Sequence, residues 1–177
     1  YTVLRIKMNQ KLLEQSVKIS IDPLTGVFSR FAYHEAMERA PSPLPEDFTV
    51  FLMDINGLKT VNDTLGHEAG DELIRGAAAC ITQALGDKGR TYRIGGDEFV
   101  IFAALSPAQT QTLRAALDRT VSAWTGTKVS HLSLSTGSAA ARDYPGRTVE
   151  ELTKEADRAM YMEKQTYYQE KAKNPKP

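Results

Sequence analysis

The hydrophobic and polar positions along the chain fall into helical and strand periods in alternation. Val3, Ile6, Gln10, Leu13, Val17 and Ser20 step by three and four, which predicts a helix over residues 3–20. Four of the six are apolar, so the spacing fits either a coiled-coil seam or an ordinary amphipathic lead-in helix. Pro23 disfavours helix at Asp22, and DPLTG (22–26) reads as a turn-rich joint. A second helix is expected over 29–39, followed by the proline-rich loop APSPLPED. FTVFLM (48–53) is a short apolar run and reads as a buried strand ending at Asp54. A polar loop through Gly57, Asn62, Asp63 and Gly66 is expected next. Leu73, Ala77, Cys80, Ile81, Ala84 and Leu85 then recur at helical spacing, giving a helix over 68–85.

Two strands, 91–94 and 98–102, flank Gly95-Gly96-Asp97. Adjacent glycines allow the positive φ of a tight hairpin turn. Residues 107–124 read as a helix, 131–139 as a half-exposed strand, 148–171 as a long helix and NPKP as a tail. The order suggests a mixed sheet covered by helices. Its expected divisions are a linker helix at 1–21, one domain at 22–172 and a tail at 173–177.

Composition narrows the function. The 177 residues carry 22 Lys plus Arg against 22 Asp plus Glu, so no basic excess marks a general nucleic-acid or membrane-surface binder. No run approaches the roughly 18–20 apolar residues of a membrane span, and the first residues lack the apolar core of a secretory signal. The single Cys80 rules out an internal disulfide and fits a reducing, cytoplasmic setting. The chain opens mid-pattern at Tyr1, as a piece of a longer protein would.

The candidate chemistry is acidic. Asp54 follows the first apolar strand, and Asp97 and Glu98 occupy the hairpin turn. If the two strands are neighbours, three carboxylates crowd one sheet edge. Like charges about 4 Å apart repel by roughly 4 kcal/mol at an effective dielectric of about 20, which calls for a cation or a raised pKa. Oxygen ligands without a His or Cys cluster suit Mg²⁺ or Mn²⁺ and phosphate-bearing substrates. From spacing alone, solvated acids in turns explain the pattern equally well.

RIGGDEF (93–99) resembles the signature of the GGDEF family of diguanylate cyclases. DPLTGVFSR (22–30), DINGLKTVNDTLGHEAGDE (54–72) and ADRAMYMEK (156–164) resemble its entry motif, nucleotide segment and final helix, in family order. The resemblance implies an α+β, palm-like nucleotide cyclase domain: a central, mostly antiparallel sheet flanked by helices, with an N-terminal linker helix. It also implies condensation of two GTP into cyclic di-GMP with release of two pyrophosphates, by a homodimer, as output module of a protein with a sensor domain N-terminal to it. By this resemblance Asp54, the Ile55 carbonyl, Asp97 and Glu98 would hold metal, two Mg²⁺ or Mn²⁺ per site. Asp97 would act as general base and Lys59 would balance phosphoryl charge. Asn62 and Asp71 would hydrogen-bond guanine, His67 would contact the nucleotide, and Gly95 and Gly96 would let phosphates approach. Lys164 would contact phosphate. Relatives with serine at the Asp71 position accept adenine, so aspartate argues for GTP. Three departures stand out. Asn56 and Leu58 replace the more usual aspartate and phenylalanine. Tyr167 and Tyr168 stand where a Gly-Arg pair often follows Lys164. Gly86 and Gly89 stand where a product-inhibition site would carry Arg and Asp. A catalytically silent relative that binds GTP and regulates a neighbour is the alternative.

Overall fold

The structure is a computed structural model and describes residues 2–173. Four strands, β1 (Phe48–Ile55), β2 (Gly89–Arg93), β3 (Glu98–Ala104) and β4 (Leu134–Ala140), form one antiparallel sheet in the order β2-β3-β1-β4. The α-helices among the described residues are α1 (Thr2–Ser20), α2 (Arg30–Glu38), α3 (Leu58–Leu65), α4 (His67–Leu85), α5 (Pro107–Ala123) and α6 (Val149–Lys173), of which α2 to α6 flank the sheet. The mixed architecture with a central antiparallel sheet is the one expected.

Strand parity sorts the core into two layers. Phe51, Met53 and Ile55 of β1 pack with Phe99 and Ile101 under Leu73 and Ile81 of α4 and Leu113 and Leu117 of α5. Val50 and Leu52 point the other way, with Val100, Phe102 and Ala139, under Tyr33 of α2 and Leu152, Ala156 and Met160 of α6. The same parity carries Asp54 and Glu98 to the α6 face, because side chains alternate along a strand. Register then places them opposite each other, since Asp54 pairs with Glu98 across β1 and β3.

Three expectations need correction. The segment after Gly57 is a helix, α3, and not a loop. Leu58 is buried and Val61 packs on the core, while Leu65 is exposed, so the stripe that its polar neighbours obscure is the short 58/61 pair. β4 is not half-exposed: Ser135 is buried on the face that α6 covers, and Thr136 is buried on the opposite face. The turn between β2 and β3 does not use positive φ at Gly95 or Gly96. It is a wider turn in which the Ile94 N–H donates to the Glu98 carbonyl, and the Arg93 guanidinium donates to the Gly96 carbonyl at 2.9 Å.

The linker helix stands apart from the sheet. Its C-terminal end is tied down where the Ser29 hydroxyl donates to the Ile19 carbonyl at 2.5 Å. Of the expected seam, Val3, Ile6, Gln10 and Leu13 are exposed; the Val17 side chain lies outside the described residues. The entry joint is fastened to the signature turn by the Asp22–Arg93 ion pair at 3.2 Å. Burial pushes the Asp22 carboxyl up, but Thr25 and Arg93 outweigh it and leave it below the usual range. The tail expected at 173–177 starts with Lys173, the last residue of α6, and then leaves the described residues.

Beyond α5, residues 127–129 are held by one carboxylate. Glu72 of α4 accepts from the Thr127 hydroxyl and N–H and from the N–H groups of Lys128 and Val129, at 2.6–3.0 Å. These bonds, with the Thr127 hydroxyl foremost, hold its pKa down to about 2 from 4.5. A depressed carboxylate stabilises above its unfolded value and loses that contribution as pH falls through the folded one. The Thr127–Val129 amides are therefore expected to stay protected in hydrogen exchange above pH 4.5 and to lose protection towards pH 2. Glu72→Gln should remove that protection at neutral pH.

Candidate active site at the β1–β3 edge

Asp54 is the last polar residue of β1 before the chain turns into α3, and only 5% of it is exposed. Lys164 of α6 reaches over the edge, and its Nζ lies 2.8 Å from Asp54 Oδ1. Burial pushes the Asp54 carboxyl up. Lys164 pulls it back and Asp97 pushes it further, and the net shift is upward. The Lys164 ammonium is opposed by burial but held above its ordinary value by Asp54. Asp97 is fixed from its backbone, where the Ile55 N–H donates to the Asp97 carbonyl at 3.0 Å. Glu98 is pushed up by burial first, then by the charges of Asp97, Asp54 and Asp157. The three expected carboxylates thus share one edge, and Lys164 lies among them.

Asp157 is a fourth acid that sequence reasoning passed over. It lies seven residues before Lys164, two turns along the same helix, so the i, i+7 spacing puts both over the edge. Asn56, noted in the sequence only as a departure, has a structural role. Its amide donates to the Ser133 hydroxyl at 3.0 Å and accepts from the Ser135 hydroxyl at 2.8 Å. This buried network fastens the end of β1 to β4 without adding another charge.

The remaining expected residues lie on α3, the start of α4 and the turn between β2 and β3. Gly57, with φ +74°, starts α3 without a side-chain cap. Lys59, in the first turn of α3, is exposed and makes no hydrogen bond or ion pair with a described residue. The Asn62 side chain lies against Gly70, the residue before Asp71, where any Cβ would collide with its amide. Asp71 itself is paired only distantly with Arg75, at 4.0 Å. His67, the first residue of α4, is exposed. Gly96 has open space where a side chain would be, whereas a Cβ on Gly95 would lie 2.5 Å from Glu98 Oε2.

The donor set suits a hard cation. Asp54, Asp97 and Glu98 are all oxygen donors, and burial first, then neighbouring negative charge, disfavours the ionised forms of Asp54 and Glu98. Yet among the described residues no three acidic, His or Cys side chains already converge as a metal-binding group. Lys164 occupies Asp54, so binding would require it to let go. A cavity of about 640 Å³ between α4 and α5 lies elsewhere. Alanines, Cys80 and Trp124 line much of it, and it contains none of these acids.

A family model described as diguanylate cyclase, GGDEF domain, matches residues 19–170. The chain belongs to the GGDEF domain family of diguanylate cyclases. Among curated relatives it is 28% identical to the diguanylate cyclase DgcZ of Escherichia coli K12, over 88% of this chain and 54% of that protein. It is 35% identical to the probable diguanylate cyclase DgcF of the same strain, over 53% of this chain and 30% of that protein. The chain thus spans about half or less of these relatives' length. The coiled coil and GGDEF domain of DgcB from Caulobacter crescentus, solved with c-di-GMP, superposes with a TM-score of 0.80. That match has 25% identity and covers 93% of this chain and 91% of that one. Among the described residues, no helix of this GGDEF domain is long and apolar enough to cross a membrane.

The electrostatics of the edge make a prediction independent of catalysis. A carboxyl whose folded pKa is raised contributes stability below its unfolded value and loses it as pH rises through the folded value. At neutral pH, ionised Glu98 is therefore a net cost to the metal-free domain. Glu98→Gln is expected to raise the melting temperature in chelator at pH 7, with the advantage closing towards pH 4. A lower melting temperature at pH 7 would contradict this account of the edge.

Proposed function

We propose that this GGDEF domain condenses two GTP into cyclic di-GMP, each domain of a homodimer presenting one GTP, and that two pyrophosphates leave. The observation that carries the proposal is the pairing of Asp54 with Glu98 across β1 and β3, with Asp97 beside them and Lys164 above. Asp54, the Ile55 carbonyl, Asp97 and Glu98 would hold two Mg²⁺ or Mn²⁺ ions, which supply charge neutralisation at the phosphates when bound. Asp97 takes the proton of the attacking 3′-hydroxyl. Lys59 and Lys164 balance phosphoryl charge, Lys164 after releasing Asp54. Gly96, open above its Cα, leaves room for the phosphates to approach the backbone. His67, at the head of α4, contacts the nucleotide.

Asn62 and Asp71 select guanine. A carboxylate accepts from the N1–H and 2-amino donors of guanine, an edge adenine lacks. The exposed apolar residues of α1 support assembly through the linker helix, driven by a sensor domain N-terminal to it. Product feedback through residues 86–89 is disfavoured, because Gly86 and Gly89 offer neither a guanidinium nor a carboxylate to a guanine or phosphate.

The test is to join two chains through a strong coiled coil fused in register before Val3. With GTP and Mg²⁺, chromatography is expected to find cyclic di-GMP, and ATP should be used poorly. Asp71→Ser should relax that preference, since a lost partner on a buried polar edge costs about 1–3 kcal/mol, up to about a hundredfold. GTP binding without product would leave a silent regulatory domain instead, and no binding would remove both readings.

A further inference from the structure

We infer that Glu163, clamped between Arg114 and the backbone of β4, is the positioning residue that sets Lys164 over Asp54 and over the phosphates of a bound nucleoside triphosphate; the inference rests on the GTP reading above. Glu163 directly precedes Lys164 on α6. Successive residues of a helix are turned by about 100°, so the two side chains leave α6 in different directions. Lys164 descends to Asp54 at the end of β1, at 2.8 Å. Glu163 goes to β4 and α5. Its Oε1 accepts from the Thr136 N–H at 3.1 Å, and its Oε2 accepts from the Arg114 guanidinium at 2.6 Å. The other terminal nitrogen of Arg114 donates to the Thr136 carbonyl at 3.2 Å.

The clamp stands where a further strand would lie. β4 is an edge of the sheet, and an edge strand leaves backbone N–H and C=O groups without a ladder partner. At Thr136 one carboxylate takes the N–H and one guanidinium takes the C=O. Both side chains are therefore tied to main chain, which cannot rotate away. Arg114 also pairs with Asp118 on its own helix at 3.4 Å, which helps to aim the guanidinium. Register then closes a ring. Thr136 adjoins Ser135, and Ser135 pairs with Asp54 across β4 and β1. Glu163 adjoins Lys164, and Lys164 holds Asp54. Both members of the Lys164–Asp54 pair thus stand one step from the same clamp.

Lys164 has two tasks in the proposed reaction: it pairs with Asp54, and it must leave Asp54 for phosphate. A lysine stem is flexible and its ammonium is a point charge, so the side chain does not itself fix where the ammonium falls. What is fixed is the turn of α6 that carries it. Gly137 seats α6 against β4 at Ala156 and Met160, one turn earlier. Close packing there sets the distance between helix and sheet. The hydrogen bonds of Glu163 are directional, so they also set the rotation of the helix at Lys164. The charge of Glu163 is not the agent, because the Arg114 guanidinium already faces it.

The test is a double-mutant cycle, read by equilibrium binding of 3′-deoxy-GTP, which lacks the attacking hydroxyl, with Mg²⁺. The chains are the wild type, Glu163→Ala, Lys164→Met and the double variant, each with its melting temperature in chelator. Arg114→Met, which releases the clamp from its other side, is measured in both backgrounds as well. Glu163→Ala is expected to weaken binding about fivefold beside Lys164 and by less than about twofold beside Met, whatever Lys164→Met does alone. Arg114→Met should follow the same pattern, and it decides by the same criterion if Glu163→Ala does not fold. A residue that only stabilises α6 would weaken binding equally in both backgrounds, and that result would overturn the inference while leaving the GTP reading intact. Unchanged or tighter binding in Glu163→Ala would overturn it too, since Lys164 would then find its place without the clamp. Failure of the wild-type chain to bind 3′-deoxy-GTP at all would remove the GTP reading, and the role of Glu163 with it.

Discussion

Asp97→Ala is expected to abolish cyclic di-GMP formation while leaving the domain at least as stable as the wild type. The backbone contact that anchors this turn, Ile55 N–H to the Asp97 carbonyl, does not involve the side chain. Alanine therefore removes the carboxylate without opening a cavity or releasing the turn. It also relieves Asp54 and Glu98, both of which Asp97 pushes upward. Loss of a single preorganised electrostatic group in a reaction site commonly costs about a hundredfold to a thousandfold. Here the group is both a proposed metal ligand and the proposed base, so a loss of about a thousandfold or more is expected. The measurement is product formation by the coiled-coil-joined dimer, set beside the melting temperature in chelator. Near wild-type turnover by folded Asp97→Ala would end the assignment of Asp97. A lower melting temperature would show the edge to be less strained than its charges imply.

Gly137→Ala is expected to disturb both stability and the site, although Gly137 bears no functional group. Gly137 lies on β4 opposite Leu52 of β1, on the face that α6 covers. A Cβ there would collide with the Ala156 carbonyl and the Met160 N–H, which are backbone atoms of α6. Backbone in a packed helix cannot rotate away as a side-chain tip can, so α6 must shift. Overpacking commonly costs about 1–3 kcal/mol, and the upper end applies where backbone is the obstacle. For a domain of this size that corresponds to a fall of roughly 10 °C in melting temperature. Because Lys164 rides on α6, the shift should also weaken its pairing with Asp54 and reduce activity in the folded fraction. The strut from Arg114 to Glu163, at 2.6 Å, fixes the same stretch of α6 and opposes any compensating rotation. An unchanged melting temperature and unchanged turnover would mean that α6 is seated more loosely than the close approach at Gly137 requires.

Much of the fold and the candidate site was legible along the chain, because the signals were local. Apolar spacing marked α1 and α4, and the run from Phe48 to Met53 marked β1. The acids were visible because each falls where a strand meets a turn, and the four motifs carried the family. What stayed hidden depended on partners distant in sequence. The helix α3 escaped notice because its short apolar stripe gains its energy only from contact with the core. β4 read as half-exposed because serine and threonine are usually solvated. Ser135, on the same face as Gly137, is buried by the close seating of α6 there, which alternation along a strand does not report. Gly95 and Gly96 suggested a tight turn. Pairing of Ile94 with Glu98 set a wider one, so neither glycine needs positive φ. The residue types in the proposed site were thus decided by the sequence alone. Tertiary structure decided that strand register sets Asp54 against Glu98, that α6 lays Lys164 on Asp54, and that Tyr168 meets Gly57. Those contacts join residues 110 or more positions apart for Lys164–Asp54 and Tyr168–Gly57, and no local period encodes a distance of that kind.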